Sequence, residues 1–216
     1  MKKIVKSQWR YEQNLIKEFI EKKLRTDIGY DQKNCKIVRE ADLHTCVYSR
    51  LQKFFKKKGL ENWYILNEVK IRLKNMEVQP DLVIAMKKRN KSLHAKFVIE
   101  LKERKKWKVG DHGPDSDIVK LLDLFKESKS EKTKNKPRNS LRKAYFILCL
   151  SRSVRDNPDE VEKELRHSCR QHQKNILPKG KNNVVPLVFN AFYDKENRTP
   201  TEKFELLDNL ENLKIR

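Results

Sequence analysis

The chain has 216 residues, a length that suits one domain with a substantial core. Its 51 Lys and Arg residues against 30 Asp and Glu residues give a formal net charge of +21, which attracts polyanions, and nucleic acid is the commonest polyanion. The basic residues are spread along the chain, no apolar run is long enough to span a membrane, and the N-terminus has no signal-peptide core. We therefore expect no membrane partner and a cytoplasmic location, nucleoid-associated or, in a eukaryote, nuclear.

The N-terminal part of the chain has the periodicity of helices. Residues 7–24 carry a single apolar stripe, which predicts a first helix, and the polar, turn-like stretch RTDIGYDQKN follows it. A second apolar stripe predicts a helix over residues 38–56, and Gly59 ends that region. Residues 1–33 are therefore expected to form an N-terminal helical extension.

The period then changes to that of strands. NWYILNEVKIRLK, residues 62–74, alternates apolar and polar side chains and predicts a first strand. QPDLVIAM predicts a second strand, with Pro80 at its start, where no ladder hydrogen bond is lost. The polar KKRNKSLH is hairpin-like, and KFVIELK predicts a third strand that returns beside the second.

The second half of the chain alternates helices and strands. Ser116 or Asp117 is the expected N-cap of a helix, and the apolar KAYFILCL predicts a strand covered on both faces. Asn157-Pro158 has the pattern of a helix start. NVVPLVFNAFY predicts a further strand, whose Pro186 indicates a sheet edge, and a capping-box pattern predicts a last helix near the C-terminus.

The element order is thus α, α, β, β, β, α, β, α, β, α. A helix between the third and fourth strands makes these two strands parallel, whereas the short connections before it make the first three strands antiparallel. We predict an α/β fold in which a mixed β-sheet is flanked by helices, in a single domain over residues 1–216. Residues 36–155 are its core, and residues 156–216 add a helix, a strand and a helix.

The stretch KFVIELKER, residues 96–104, places two charges inside an apolar strand. Side chains two apart in a strand point to the same face, so Glu100 and Lys102 lie side by side. Burying such charges is costly unless they are paired or bind a ligand.

Asp81 begins the neighbouring strand, so we expect its carboxylate to approach that of Glu100. Two close carboxylates repel each other unless a cation lies between them, and Mg2+ takes oxygen ligands of this kind. The Leu101 carbonyl is a further available oxygen. The sequence therefore predicts a metal site at Asp81, Glu100 and the Leu101 carbonyl, with Lys102 orienting or deprotonating the water that attacks a phosphodiester.

A second interpretation of the same residues is open at this point. Glu100 and Lys102 can form a salt bridge on a solvent-facing strand, with Asp81 as a turn residue after Pro80. The two interpretations differ in whether the three charged groups meet in one place.

The spacing of Pro80-Asp81, a hairpin and the letters ELK resembles the PD-(D/E)xK nuclease superfamily, which has the restriction-endonuclease-like fold. The resemblance covers residues 36–155 and implies an αβββαβ catalytic core there. It also implies that Asp81 and Glu100 bind the catalytic Mg2+, for which Mn2+ can substitute, and that Lys102 activates or positions the attacking water. The implied activity is that of a metal-dependent endonuclease that hydrolyses phosphodiester bonds of DNA.

Three further residues acquire expected roles from this resemblance. Glu40 stands in the helix before the strands, where many members carry a Glu. Glu68 occupies the place of an acid often seen on the first strand, which makes it a candidate metal ligand. Lys120 lies on the helix after the motif, where a Lys faces the site in several members.

Two basic tracts flank the expected active strands and are candidates for nucleic-acid contact. Basic side chains bind phosphates, and an exposed Trp stacks on bases. The alternative is that both tracts are solvated surface loops. The residues concerned are Lys87, Lys88 and Arg89 in the first tract, and Arg104, Lys105, Lys106, Trp107 and Lys108 in the second.

Other functions remain open on the sequence alone. The chain can be a non-catalytic nucleic-acid-binding protein on the same fold, or a ribonuclease or RNA-associated basic protein. Both a homodimer and a complex with a protein partner are compatible with the sequence. The chain has only five glycines and no glycine-rich phosphate loop, which disfavours nucleotide hydrolysis.

Overall fold

The computed structural model of the protein describes residues 2–34, 36–72, 77–88, 92–104, 112–130, 141–150, 157–176 and 183–190. Its helices are α1 Lys2–Glu18, α2 Arg25–Lys33, α3 Glu40–Lys58, α4 His112–Ser130 and α5 Pro158–Ile176, with a π-helical segment at Phe19–Leu24 between α1 and α2. Its strands are β1 Trp63–Asn67, β2 Ile71–Arg72, β3 Glu77–Val78, β4 Leu82–Lys87, β5 Leu93–Arg104, β6 Lys143–Leu150 and β7 Val184–Phe189.

The central sheet has five strands in the order β1-β4-β5-β6-β7. β1, β4 and β5 pair antiparallel, whereas β5, β6 and β7 pair parallel, with α4 and α5 as the intervening helices. The α/β fold with a mixed sheet flanked by helices is therefore confirmed. Pro186 lies in β7, an edge strand of this sheet, where a residue without an N–H group is tolerated.

Two apolar layers cover the sheet, one on each face. α1, α2 and α3 pack on one face, and α4 and α5 pack on the other. β6 contributes to both layers, with Ile147 in the first and Phe146 and Leu148 in the second. The apolar run KAYFILCL is thus a strand buried on both faces, as its composition predicts.

The polar stretch at residues 25–34 belongs to helix α2, so the prediction of a turn there is wrong. Ile28 is fully buried. Asp31, also buried, accepts hydrogen bonds from the Arg50 guanidinium of α3 at 2.9 and 3.2 Å. A helix presents Ile28 and Asp31 on one face, and the contacts of that face outweigh the weak helix propensity of the local sequence.

The alternating stretch at residues 62–74 is not one strand, which corrects a second prediction. β1 ends at Asn67, and Glu68 has a left-handed φ of 48°. β2 then pairs with β3 in a separate two-stranded sheet. A left-handed residue changes the direction of the chain, and the alternation of side chains does not reveal such a change.

The boundaries of the later helices agree only in part with the predicted ones. α4 begins at His112, so the prediction of Ser116 or Asp117 as its N-cap is wrong. α5 begins as predicted, with Pro158 first and the Asn157 Oδ1 accepting a hydrogen bond of 3.0 Å from an N–H group of the first turn. The predicted last helix lies outside the described residues. Within the described part of the chain, the helices lack the length and apolarity needed to cross a membrane.

Candidate active site

Asp81, Glu100 and Lys102 come together at the end of the sheet where β4 begins and β5 approaches its own end. The antiparallel register pairs Leu82 with Ile99, so Asp81 stands across from Glu100. β5 is the middle strand of the five, and α3 and α4 approach it from opposite faces. The site therefore lies between the two helical layers.

The Asp81 carboxylate is held by the backbone of β5. Its Oδ2 accepts a hydrogen bond from the Leu101 N–H at 2.6 Å. Burial raises the pKa of Asp81, while the Leu101 N–H and the Lys102 ammonium act to lower it. The N–H and C=O groups of one strand residue point toward the same neighbouring strand, so the Leu101 carbonyl faces the side on which Asp81 lies.

The Glu100 carboxylate is half-buried among other acids. Burial raises the pKa of Glu100 to about 7, and the nearby carboxylates of Asp81 and Asp117 act in the same direction. The ammonium groups of Lys102 and Lys120 oppose this increase. Near neutral pH this carboxyl group is therefore partly protonated, and an added positive charge nearby would lower its pKa.

Lys102 lies between a carboxylate of α3 and a carboxylate of α4. Its Nζ is 3.5 Å from the Glu40 Oε1 and 4.0 Å from the Asp117 Oδ2. The second oxygen of Glu40 accepts a weak hydrogen bond of 3.4 Å from the Glu103 N–H. This arrangement differs from the alternative of a Glu100–Lys102 salt bridge on a solvent-facing strand. β5 is the central strand, and the carboxylates near the Lys102 ammonium belong to α3 and α4.

Asp117 is a member of this cluster that the sequence analysis missed. Its side chain is only 7% exposed, and its Oδ1 accepts a hydrogen bond from the Lys120 Nζ at 2.9 Å. The available signal was the spacing of Asp117 and Lys120, three residues apart on one helix, which allows an ion pair. Its interpretation as an N-cap concealed that signal. Lys120 contacts the cluster through its hydrogen bond to Asp117, and its charge interacts with that of Glu100.

Two other residues, Glu68 and His44, lie near Asp81. The Glu68 N–H donates a hydrogen bond of 2.9 Å to the Asp81 carbonyl, but the Glu68 side chain is exposed. His44, one turn after Glu40, stacks on Tyr48 with a ring separation of 6.5 Å. Its Nε2 is buried and has no hydrogen-bond partner within the described part of the chain.

The basic tracts are divided between the two ends of the sheet. Arg104 is exposed at the end of β5, two residues after Lys102. Lys87 and Lys88 lie at the far end of β4, about 20 Å from Asp81 for a strand of this length. The remaining residues lie outside the described part of the chain: Arg89, Lys105, Lys106, Trp107 and Lys108.

The donor atoms of the site match the preferences of a hard divalent cation. Asp81, Glu100 and the Leu101 carbonyl offer oxygen atoms only, which suits Mg2+ and Mn2+. Among the described residues, no group of three or more His, Cys, Asp or Glu side chains is placed to hold a metal ion. Mg2+ usually binds one or two carboxylates and keeps several waters, so it does not require such a group.

Comparisons with known proteins found no relative of this chain. No protein-family model matches the chain, and no curated protein and no solved structure is significantly similar to it.

Proposed function

We propose that the chain is a Mg2+-dependent nuclease of the PD-(D/E)xK superfamily that hydrolyses phosphodiester bonds of DNA. The observation that carries the proposal is the meeting of Asp81, Glu100 and Lys102 at one end of the sheet, with Asp81 bonded to the backbone between the other two. The order α3, β1, β4, β5, α4, β6 also supports it, because it is the order αβββαβ of the restriction-endonuclease-like core. The β2–β3 hairpin is an insertion between the first two of these strands.

The fit of the site to a metal ion rests on its charges. Asp81 and Glu100 repel each other in a half-buried place, and a divalent cation between them relieves that repulsion. Their carboxylates and the Leu101 carbonyl would hold the ion, with Glu68 beside them at the exposed rim. When bound, the ion polarises the phosphate and stabilises its negative charge.

The lysines supply the remaining positive charge. In hydrolysis the water oxygen bonds to phosphorus and gives up a proton to solvent, while the phosphorus–oxygen ester bond breaks and the leaving oxygen takes up a proton. Negative charge therefore grows on the phosphate and leaving oxygens in the transition state. The Lys102 ammonium, kept in place by Glu40 and Asp117, is positioned to stabilise that charge and to orient the attacking water. Lys120 adds a second ammonium group on the exposed side.

The net charge of +21 supports a polyanionic substrate but does not by itself require catalysis. A non-catalytic nucleic-acid-binding protein is therefore the second candidate function. The two candidates differ in the role of the Asp81 and Glu100 carboxylates. In a nuclease they hold a cation, whereas in a protein that only binds nucleic acid they weaken the attraction for phosphate.

The test is incubation with supercoiled plasmid in Mg2+, in Mn2+ and in EDTA. We expect nicking or linearisation with either metal and none in EDTA. Asp81→Asn and Lys102→Ala should lower the cleavage rate by roughly 100-fold or more, because each removes a charge on which the transition state depends. Lys53→Ala, at an exposed position of α3, is the matched control for loss of a lysine and should cleave normally.

Full activity in Asp81→Asn or Lys102→Ala would refute the assignment of the site. Plasmid binding without cleavage under all three conditions would favour the non-catalytic protein. Cleavage of RNA alone, in a parallel incubation, would favour a ribonuclease.

A further inference from the structure

A pocket of about 300 Å³ opens beside Glu100, on the face of the sheet that α4 covers. Glu100, Asp117 and Lys120 line it, so the pocket and the candidate active site share these groups. Residues 77–80, which comprise β3 and the segment that leads to Asp81, also line it. A group bound in this pocket is therefore adjacent to the atoms that the proposed reaction uses.

The walls of the pocket are apolar on two sides. Val78 and Pro80 line it from the hairpin. Leu121 and Leu124, three residues apart on α4, line it from the helix. Gln79 is exposed at the rim and carries an amide with two donor hydrogens and one acceptor oxygen. A pocket with this lining suits a group that is apolar on its faces and polar at its edges.

The volume of the pocket is large enough for a small ring system. At about 300 Å³, the pocket has room for the ring and exocyclic atoms of a nucleobase. We propose that this pocket binds one unpaired nucleobase next to the scissile phosphate, so that the substrate is single-stranded or locally unpaired DNA. This inference rests on the proposed nuclease function and names the substrate class of the same site.

Among the residues that line the pocket, Lys120 carries a positive charge, and Glu77, Glu100 and Asp117 carry carboxylates. A base in the pocket is joined through its sugar to a phosphate, which needs positive charge near the mouth of the pocket, from Lys120 and from the cation that the proposed nuclease site would hold. The Lys120 side chain is 63% exposed there, and Lys102 lies on the other side of Asp117. A base inside a stacked duplex does not reach such a pocket unless it is unpaired and unstacked, which costs free energy, so an unpaired strand is favoured.

The proposal is tested by filling the pocket. Val78→Phe places an aromatic ring in the pocket, and Gln79→Ala removes the exposed side-chain amide at its rim. Val69→Phe makes the same change as the first variant at a residue that is 38% exposed and does not line the pocket. Circular dichroism melting establishes that each variant is folded.

Binding is measured in EDTA, so that it does not depend on cleavage. Fluorescence anisotropy compares a labelled single strand of DNA with a strand of the same length whose sugars carry no bases. We expect the wild-type protein to bind the strand with bases about fivefold or more tightly. Val78→Phe should abolish that preference, Gln79→Ala should reduce it, and Val69→Phe should keep it.

Equal affinity of the wild-type protein for the two strands would overturn the proposal. So would an unchanged preference in folded Val78→Phe or, if that variant does not fold, in Gln79→Ala. Base-dependent binding that the variants lose, in a protein that cleaves no substrate, would support the pocket and refute the nuclease. Metal-dependent cleavage without base-dependent binding would support the nuclease and refute the pocket.

Discussion

Glu100 lies where the fold disfavours its charged form. Burial and the neighbouring acids raise its pKa from 4.5 to about 7, so between these two pH values the folded protein holds a proton that the unfolded chain has lost. The free energy of unfolding therefore falls as the pH rises through this window. The loss is complete above pH 7 and absent below pH 4.5.

We expect Glu100→Gln to stabilise the metal-free protein at pH 8 by about 2 kcal/mol, a figure reduced for partial solvent exposure, and to have little effect near pH 4. Urea unfolding of both proteins at the two pH values measures this difference. Glu61→Gln, at an exposed turn before β1, controls for loss of a surface charge. Equal stability of the wild type and Glu100→Gln at pH 8 would contradict the electrostatic account.

Asp117 connects two lysines to the site from α4. Asp117→Asn keeps the size of the side chain but removes the charge that binds Lys120 and attracts Lys102. We expect kcat on DNA to fall about 10- to 100-fold, because the lysines lose their positioning partner. Asp123→Asn, on the same helix and away from the pocket lining, is the matched control.

The pH dependence separates this role of Asp117 from a purely structural one. The Asp117 carboxylate contributes to the raised pKa of Glu100, so its removal should lower that pKa. The acid limb of the pH–rate profile of Asp117→Asn should then move to lower pH. If the rate falls but the acid limb stays at the same pH as in the wild type, Asp117 acts on folding alone.

At the scale of elements, the start of α3 determines where Lys102 is held. Asp42 accepts hydrogen bonds from the N–H groups of Val38 and Arg39 at 3.1 and 2.9 Å, which closes the N-terminus of the helix. Glu40 is the first residue of α3 and therefore points its carboxylate at the end of β5. A shift of this helix by one residue would separate Glu40 from Lys102.

Two glycines test the helix boundaries, because they differ in backbone conformation. Gly59 ends α3 with a left-handed φ of 61°, whereas Gly29 lies inside α2 with nothing within 4 Å of an added Cβ. We expect Gly59→Ala to lower the free energy of unfolding by about 1 kcal/mol and Gly29→Ala to raise it by about 0.5–1 kcal/mol. Urea unfolding measures both changes. A destabilising Gly29→Ala would argue against helix α2.

At the scale of the whole molecule, the excess of positive charge should make DNA binding strongly dependent on salt. Each phosphate that the protein neutralises contributes about −0.9 to the slope of log affinity against log salt for duplex DNA, and about −0.7 for a single strand. Titrations of the Lys102→Ala protein, in which we expect little cleavage, between about 50 and 200 mM salt give this slope. A slope near zero would exclude phosphate contacts as the source of affinity.

The same titration decides whether DNA extends to the far end of the sheet. If Lys87 and Lys88 contact phosphates about 20 Å from Asp81, replacing both by Ala should make the slope shallower by roughly 1 to 2. An unchanged slope would confine the DNA to the end of the sheet that carries Asp81 and Arg104.

The sequence by itself predicted the mixed sheet, with an antiparallel first part and a parallel pair across α4, but it missed helix α2 and the small β2–β3 sheet. Apolar periodicity, Pro186 at an edge and the lengths of the connections are local properties, and together they placed the main strands and the crossover. The closeness of Asp81 and Glu100 was also predictable, because a hairpin fixes the register of the strands that it joins.

Only the tertiary structure decided which groups surround Lys102. Glu40 is 62 residues away in the chain, and Asp117 approaches from the opposite helical layer, so no local pattern relates them to the lysine. The helical form of residues 25–33 likewise depends on the packing of Ile28 against distant elements, and the left-handed Glu68 donates its N–H to the carbonyl of the distant Asp81. The physical reason is that local propensities differ by small free energies, whereas burial and ion pairing between elements contribute larger ones and override them.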